Sequence, residues 1–245
     1  MIQYSVDRGI ARIALDSPHN RNALSSALMT ELEQRLDQTK ADDDIRAVEL
    51  THTGGTFCAG ADLTEARAGG MAEGTKRVIA LLRRIVELPK PVVASIDGHV
   101  RAGGMGLVGA CDIALAGPAS TFAFSEVRLG LAPAMISLTT APRLTPRATS
   151  RYYLTGETFD AATAARIGLI SEAVEDIDTA THTVLDALRQ ASPQGLRETK
   201  PLTTRAVSFE NADALAEQSA RLFASDEARE GMTSFLEKRP PRWAQ

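Results

Sequence analysis

The chain has 245 residues, of which 44% are hydrophobic and 24% charged, so it is long enough for one large domain with a sizeable core. Its net charge of −4 argues against general binding to nucleic acid or to an acidic membrane surface. No apolar run approaches the ~18 residues that a membrane span requires, and the first residues do not resemble a signal peptide. The two cysteines, Cys58 and Cys111, are predicted to be buried, reduced thiols of a cytoplasmic protein.

The N-terminal part of the chain predicts a hairpin followed by a helix. Gln3–Val6 and Gly9–Leu15 have the apolar character of two strands joined by a tight turn. Asp16–Asn22 contains a proline and three Asx residues and is predicted to be a loop. Ser25 is a typical N-cap, and leucines at helical spacing continue the helix to about Lys40.

A second strand and helix follow, separated by glycine-rich segments. Ile45–Thr51 predicts a strand, and Thr53–Ala61 a glycine-rich loop after which Asp62 can cap a helix. Glu65–Thr75 has little periodicity, and we expect it to be mobile. Lys76–Leu88 predicts a helix with one apolar face.

The centre of the chain predicts a strand, a glycine turn and a helix in direct succession. Val92–Asp97 is apolar, Ala102–Gly104 forms the turn, and a pattern of small residues continues to about Cys111. The start of a helix leaves backbone N–H groups without intrahelical partners. Such a turn can bind a phosphate or a developing oxyanion.

Shorter elements are predicted in the second half of the chain. Strands or extended segments are expected at Asp112–Ala116, Thr121–Phe124 and Leu169–Val174, and helices at Pro133–Leu144 (broken by Pro142), Arg147–Leu154 and Asp160–Ile167. From Ile177 to Lys238 the pattern is helical only. This order predicts an α/β fold of layered sheets. We expect a core over residues 1–190 and a C-terminal helical region over residues 191–245.

Gly104, Gly106 and Gly109 spell GxGxxG, which also occurs in dinucleotide-binding turns. In that motif the first glycine directly ends a strand, whereas here the strand is predicted to end near Asp97 and His99–Ala102 intervene. We therefore favour close helix packing for Gly106 and Gly109. A nicotinamide oxidoreductase is the alternative, and NADH binding would distinguish it.

Gly103 is different because it lies at the turn where the helix begins. A second free N–H can come from Ala61, at the end of the other glycine-rich loop. Two backbone donors that converge on one carbonyl oxygen form an oxyanion hole, and losing one such donor typically costs about 10²–10³ in rate. Spacing alone does not establish that the two loops meet.

Five separated motifs resemble the crotonase, or enoyl-CoA hydratase/isomerase, family: Arg21–Leu24, Thr56–Leu63, Asp97–Ala116, Phe122–Pro133 and Glu230–Arg239. The similarity extends in order over essentially the whole chain. It implies a crotonase-like spiral of stacked ββα units. It also implies C-terminal helices that build homotrimers, often paired into hexamers.

The resemblance also implies roles for individual residues. Ala61 and Gly103 match the two N–H donors that hold the thioester oxygen of an acyl-CoA while an enolate forms. The channel for the adenine and pantetheine of CoA is matched by Ala23, Ala59, Asp62 and Leu63. Phe235 and Lys238 match tail positions that reach CoA, commonly on a neighbouring subunit. CoA is part of the substrate, so no further cofactor is expected.

Hydratases of this family use two glutamates, and this chain has only one of them. The second matches Glu126, whereas the first falls on Gly106, which has no side chain. One carboxylate can still carry a proton between two carbons, as in an isomerase, or activate water alone. Outside a site, Glu126 would be a capping or ion-paired residue, for instance with Arg128. Its place after the apolar segment Phe122–Phe124 predicts burial and a raised pKa, as a proton carrier requires.

The segment Ser125–Ser137, together with Gly106, resembles the bacterial methylglutaconyl-CoA hydratase-like branch. Arg101 is a candidate to meet a substrate carboxylate, and a solvated loop arginine is an equal alternative. The four histidines lack metal-ligand spacing, and His52 and His99 are expected to form local hydrogen bonds. The leading hypothesis is an enoyl-CoA hydratase. The alternatives are an enoyl-CoA isomerase and a non-catalytic acyl-CoA binder.

Overall fold

A computed structural model describes residues 1–67, 71–203 and 212–244 of the chain. The strands in chain order are β1 (Ile2–Asp7), β2 (Ile10–Leu15), β3 (Ala47–His52), β4 (Thr56–Cys58), β5 (Val92–Ile96), β6 (His99–Arg101), β7 (Ile113–Ala116), β8 (Thr121–Ala123), β9 (Phe159–Asp160) and β10 (Glu172–Ala173). The helices are α1 (Ser26–Ala41), α2 (Leu63–Arg67), α3 (Met71–Glu87), α4 (Gly103–Ala110), α5 (Ser137–Thr140), α6 (Pro146–Thr155), α7 (Ala161–Arg166), α8 (Ile177–Gln190), α9 (Pro193–Thr199), α10 (Ala212–Phe223) and α11 (Asp226–Leu236). Short 3₁₀ turns occur at Pro18–Asn20, Ser125–Leu129, Lys200–Leu202 and Arg242–Ala244.

The described strands form two sheets, in the orders β1-β2-β3-β5-β7-β10 and β4-β6-β8-β9. β1 and β2 form an antiparallel hairpin, and from β2 onward the larger sheet is parallel. Three successive strand pairs, β3–β4, β5–β6 and β7–β8, each place one strand in the larger sheet and the next strand in the smaller one. Each pair advances both sheets by one strand, which is the stacked arrangement that the sequence predicted.

Apolar helix faces cover the larger sheet. The buried residues of α1 and α3 that face the core are Leu28, Leu32, Leu36, Val78, Leu81, Leu82 and Ile85. α8 packs against the sheet through a second cluster that joins Leu185 to Ile10, Ala47 and Val93. Burial of such side chains stabilises a fold by about 1.5–3 kcal/mol each. The larger sheet is therefore held between packed helices.

The hairpin, the long helices and the central strand–turn–helix were correctly predicted. Ser25 is the N-cap of α1, where its side chain accepts a hydrogen bond from Leu28 N at 3.3 Å. Asp62 caps α2 as expected, because its Oδ1 accepts from Thr64 N at 2.9 Å.

Among the short strands that were missed, β4 lies in the predicted glycine-rich loop Thr53–Ala61, and β6 lies between the predicted strand end at Asp97 and the predicted turn at Ala102. Three residues are too few to display the two-residue period of a strand. The two strands exist because they pair with each other, with Thr56 opposite His99 and Cys58 opposite Val100. This pairing brings the two glycine-rich segments side by side.

Other predicted boundaries were wrong. Only Ser137–Thr140 is helical within Pro133–Leu144, where Pro142 lacks an N–H donor and cannot continue a helix. The last long helix ends at Leu236, and Lys238 adopts a left-handed φ of 55°. The segment Glu65–Thr75, predicted to be mobile, lies partly outside the described residues, and its described parts belong to α2 and α3.

A buried ion pair connects the C-terminal helices to the larger sheet. Lys200 Nζ lies 2.9 Å from the carboxylate of Asp112 and donates to the carbonyl oxygens of Ile85 and Lys90. The other end of the chain returns to α8, where Trp243 Nε1 donates to Gln190 O at 3.0 Å. Among the described residues, no helix has the length and apolar character needed to cross a bilayer.

Candidate active site

The two glycine-rich segments meet at Gly60 and at the start of α4. Gly60 has φ of +94°, and a Cβ atom there would lie 2.7 Å from the Cβ of Ala102 and 3.0 Å from Gly103 N. Only glycine permits this approach. A Cβ on Gly103 would in turn lie 3.6 Å from Ala61 N. The backbones of Ala61 and Gly103, which spacing alone could not connect, are therefore neighbours.

The peptide N–H groups of Ala61 and Gly103 have no hydrogen-bond acceptor among the described residues. Their surroundings are held in place, because Leu24 N donates to Gly60 O at 2.7 Å. Ala102, which precedes α4, has φ of 45° and ψ of −117°. Such a conformation costs a non-glycine residue about 1–3 kcal/mol and is found at functional turns. Two free donors, one of them at a helix start, can hold a negatively charged oxygen.

Glu126 lies in the 3₁₀ turn Ser125–Leu129, after the buried segment Phe122–Phe124. Only 9% of its surface is exposed, and within the described residues its Oε2 has no hydrogen-bond partner. Burial raises the pKa of this carboxyl above its ordinary value. The alternative of an ion pair with Arg128 is wrong, because Arg128 Nε points to Thr155 O at 3.4 Å.

Gly106 lies in α4, where the family places a second carboxylate. A Cβ atom on it would lie 2.7 Å from Cγ2 of Ile136 and 3.2 Å from Cδ1 of Leu82. Thr139 Oγ1 donates to Gly106 O at 2.9 Å, which holds the 136–139 segment against the helix. Apolar side chains therefore fill the place of that carboxylate.

The other glycines of the GxGxxG sequence also face packed backbone. A Cβ on Gly104 would lie 2.6 Å from Cys58 O, and one on Gly109 would lie 2.7 Å from Thr139 O. All three glycines are inside α4 and buried. The three glycines allow close packing, and the neighbouring atoms leave no room beside them for a dinucleotide phosphate.

The residues predicted to line a CoA channel surround the 59–63 segment. Ala59 N donates to Arg21 O at 3.1 Å, and Ala23 is buried beside it in the chain segment that pairs with Ala61. Asp62 caps α2, and Leu63 is exposed at the start of that helix. The structure therefore brings Ala23, Ala59, Asp62 and Leu63 together with Ala61.

Asn22 holds this region together, and sequence reasoning did not give it a separate role. Its side-chain amide donates to Thr53 O at 3.2 Å and to Thr56 O at 2.7 Å. Its Oδ1 accepts from Ser17 N at 2.6 Å, and the residue is fully buried. Asn22 also has a positive φ of 55°, a conformation that asparagine tolerates better than most residues.

Phe235 and Lys238 are both at the surface, the first in the last turn of α11 and the second just beyond its end. Phe235 is 82% exposed, and Lys238 forms no ion pair among the described residues. The turn that presents them is fixed by Arg239, whose Nη1 lies 2.8 Å from Glu230 Oε1. The hydrogen bond from Arg239 lowers the pKa of Glu230 to about 2.

Arg101 is not a solvated loop residue, because it is half-buried and belongs to a strand. It lies in β6, and its guanidinium donates to Thr121 O at 2.7 Å and to Thr121 Oγ1 at 2.8 Å. His52 Nε2 accepts from Asp97 N at 3.1 Å, and His99 Nδ1 lies 2.9 Å from Thr121 Oγ1, so both histidines form the local hydrogen bonds expected. The described residues contain no group of three or more potential metal ligands.

Comparison with known proteins agrees with this geometry. The family model for enoyl-CoA hydratase/isomerase matches residues 5–245. The chain belongs to the enoyl-CoA hydratase/isomerase family. The resemblance predicted from the five motifs is thereby confirmed.

Relatives of the family cover almost the whole chain. The human mitochondrial methylglutaconyl-CoA hydratase is 30% identical over 97% of this chain and 74% of its own length. The crystal structure of an enoyl-CoA hydratase from Mycobacterium avium is 55% identical, with 99% and 98% of the two chains covered and a TM-score of 0.78. An enoyl-CoA hydratase structure from Mycobacterium smegmatis is 30% identical, with coverage of 100% and 99% and a TM-score of 0.94. These similarities confirm the crotonase-like α/β fold.

Proposed function

We propose that this protein is an enoyl-CoA hydratase in which Ala61 and Gly103 hold the thioester oxygen and Glu126 carries the proton. The observation that supports it most is the meeting, at the Gly60–Gly103 contact, of two backbone N–H groups that have no acceptor in the part of the chain that the structure describes. Enolisation of a thioester places negative charge on its carbonyl oxygen. Preorganised donors aimed at that charge are usually the largest single contribution to catalysis.

Glu126 supplies the proton chemistry. Water attacks the β-carbon, its O–H bond breaks, and the proton passes to the Glu126 carboxylate while the double-bond electrons form the enolate. The enolate then collapses, and its α-carbon takes the proton from Glu126. One water is added across the double bond, the carboxylate is regenerated, and no cofactor beyond the CoA of the substrate is required. The raised pKa of Glu126 suits both steps, because a proton carrier works best with a pKa near the operating pH.

Isomerisation of an enoyl-CoA is the second candidate, and the filled position at Gly106 favours it. A single carboxylate can remove a proton from one carbon and return it to another without water. Incubation of a 3-enoyl-CoA in heavy-oxygen water separates the two reactions, because only hydration incorporates the label. Binding of CoA thioesters without turnover of any enoyl-CoA would indicate the third alternative, a non-catalytic binder.

The test of the catalytic assignment is Glu126→Gln, assayed on crotonyl-CoA and 3-methylglutaconyl-CoA. Loss of a general acid–base lowers rates by about 10²–10⁴, and we expect kcat to fall within this range. Glu87→Gln is the control, because Glu87 is exposed at the end of α3 and has a long contact of 3.9 Å with Arg83. Unchanged turnover by Glu126→Gln would remove Glu126 from the mechanism.

The proposal extends to the substrate, the assembly and the cellular location. We assign the CoA channel to Ala23, Ala59, Asp62 and Leu63, with Phe235 and Lys238 reaching a CoA bound by a neighbouring subunit of a homotrimer or a dimer of trimers. The exposed apolar side chains of Phe223, Phe235 and Leu236 support contacts between chains. Residues 1–190 would form the catalytic core and residues 191–245 the helical region of assembly. A cytoplasmic location fits two buried free thiols, Cys58 and Cys111.

Branched or glutaconyl-type enoyl-CoAs are the proposed substrates, in line with the name of the human relative. A panel of enoyl-CoA thioesters followed by product masses tests this choice. Light scattering tests the assembly, with a mass of three or six chains expected. Lys238→Ala should raise KM for the thioester more than it lowers kcat, because Lys238 is proposed to bind CoA and not the reacting carbons.

A further inference from the structure

The carboxyl of Glu126 is only partly hydrogen-bonded within the described residues. Its Oε2 is buried without a hydrogen bond from any described residue. A buried polar atom left unpaired typically costs about 1–3 kcal/mol. A substrate or a water can supply the missing hydrogen bond. The side chains around the carboxyl then determine which molecule can bind there.

Helix α6 lies against the turn that carries Glu126. The ring of Phe124 packs on the ring of Tyr153 with centroids 4.6 Å apart. At the end of the helix, a Cβ on Gly156 would lie 3.0 Å from Cγ1 of Val127 and 3.1 Å from Phe124 O. Burial, and to a smaller extent the negative charge of Glu126, raise the pKa of the Tyr153 phenol. Tyr153 therefore packs beside the turn that carries Glu126.

Thr140 fixes the direction of the Tyr153 hydroxyl. Thr140 Oγ1 donates its only proton to Ile136 O at 2.8 Å, so its contact of 2.6 Å with Tyr153 Oη must be one in which it accepts. The Tyr153 hydroxyl therefore donates its proton to the hydrogen bond with Thr140. The lone pairs of the phenol oxygen are then free to accept a hydrogen bond from another group.

The segment 136–140 fills the space where the family has its first carboxylate. Ile136 fills the space beside Gly106, and Thr140 Cγ2 would lie 2.9 Å from a Cβ on Gly109, one helical turn further along α4. The residues 136–140 thus place an apolar wall where the family has a charged side chain, and Thr140 at its edge contacts the hydroxyl of Tyr153 in α6.

We propose that Tyr153, oriented by Thr140, is a second hydrogen-bond acceptor for the water that Glu126 activates. The phenol oxygen accepts one hydrogen of the water, and the Glu126 carboxylate accepts and then removes the other. The water oxygen bonds to the β-carbon, the proton on Glu126 returns to the α-carbon, and the phenol keeps its own proton throughout. Tyr153 is a catalytic residue in this scheme, and Thr140 is a positioning residue. This inference depends on the proposed hydratase function.

The test is Tyr153→Phe, with Tyr152→Phe as the matched control. Tyr152 is adjacent in sequence but buried against Phe159, with ring centroids 4.3 Å apart. Misplacement of a reacting group by 1 Å costs about 10²-fold in rate. We expect kcat of Tyr153→Phe to fall by about this factor, with KM and thermal stability close to wild type, and Tyr152→Phe to keep the wild-type kcat.

Thr140 provides a second, independent readout. Thr140→Val should lower kcat, whereas Thr140→Ser, which keeps the hydroxyl, should have a kcat close to wild type. The double variant of Thr140→Val and Tyr153→Phe should be no slower than Tyr153→Phe alone, because the two groups act as one unit. Wild-type kcat in Tyr153→Phe would overturn the inference, as would a parallel fall in kcat and thermal stability with a rise in KM. These results would leave the proposed function standing if the wild type hydrates enoyl-CoA. A wild type that turns over no enoyl-CoA, or isomerises it without taking up oxygen from water, would contradict the proposed function and the role of Tyr153 together.

Discussion

Gly60→Ala tests whether the contact between the two glycine-rich segments creates the site. The new Cβ would lie 2.7 Å from the Cβ of Ala102, whereas ordinary carbon contacts are about 3.5–4.0 Å. The start of α4 must therefore retreat by roughly 1 Å, which moves the N–H of Gly103 away from that of Ala61. A misplacement of this size costs about 10²-fold in rate. The positive φ of +94° adds about 1–3 kcal/mol of strain to the folded state.

The assay follows loss of the enoyl thioester chromophore together with thermal unfolding. We expect kcat of Gly60→Ala to fall by about two orders of magnitude in protein that remains folded at the assay temperature. Gly55→Ala is the control, because it lies in the same segment and a Cβ there meets no atom within 4 Å. A Gly60→Ala variant that is less stable but retains the wild-type kcat would refute the proposed role of this contact. An equal loss in both variants would refute it as well.

Further predictions concern the filled carboxylate position, the buried ion pair and the pH dependence. Gly106→Glu should lower the free energy of unfolding by about 1–3 kcal/mol without raising the hydration rate, because its Cβ would lie only 2.7 Å from Ile136. Lys200→Met should destabilise by about 3–5 kcal/mol in denaturant titration, since it leaves the half-buried carboxylate of Asp112 without its cation. Burial raises the pKa of Glu126 above 4.5, so its contribution to stability is full at acid pH and is lost as pH rises through the folded-state pKa. Glu126→Gln should therefore unfold at a higher temperature than wild type at about pH 7 but not at about pH 4.

Each of these predictions can fail separately. A Gly106→Glu variant with wild-type stability would show that Ile136 yields easily, and faster hydration by it would contradict the view that the position is closed. A Lys200→Met variant as stable as wild type would mean that the ion pair with Asp112 contributes nothing to docking the C-terminal helices. For Glu126, equal unfolding temperatures at both pH values would mean that the carboxylate is not desolvated. In the wild type, kcat/KM should fall as pH drops through the raised pKa, because protonation removes the base.

The long elements could be predicted from sequence because their signals are local. Leucines at helical spacing after a Ser25 cap are sufficient for α1, and an apolar run before a glycine turn is sufficient for β5 and α4. The three-residue strands β4 and β6 could not be found in this way. They are stabilised by pairing across the chain, and no periodicity in three residues records that pairing.

Only part of the candidate site could be predicted from the sequence. The motifs identified Ala61, Gly103 and Glu126, and burial of Glu126 followed from the apolar residues before it. The contact that joins the first two depends on the positive φ of Gly60, which the sequence permits but does not demand. The hydroxyl pair of Tyr153 and Thr140 depends on how α6 packs, and no local pattern predicts it.

The most direct test is a crystal structure of the protein with a bound, slowly reacting CoA thioester. The peptide nitrogens of Ala61 and Gly103 should both lie about 2.7–3.1 Å from the thioester oxygen, with the Glu126 carboxyl facing the carbons beyond it. A thioester oxygen held by other groups, with those two nitrogens facing apart or bonded within the protein, would contradict the account.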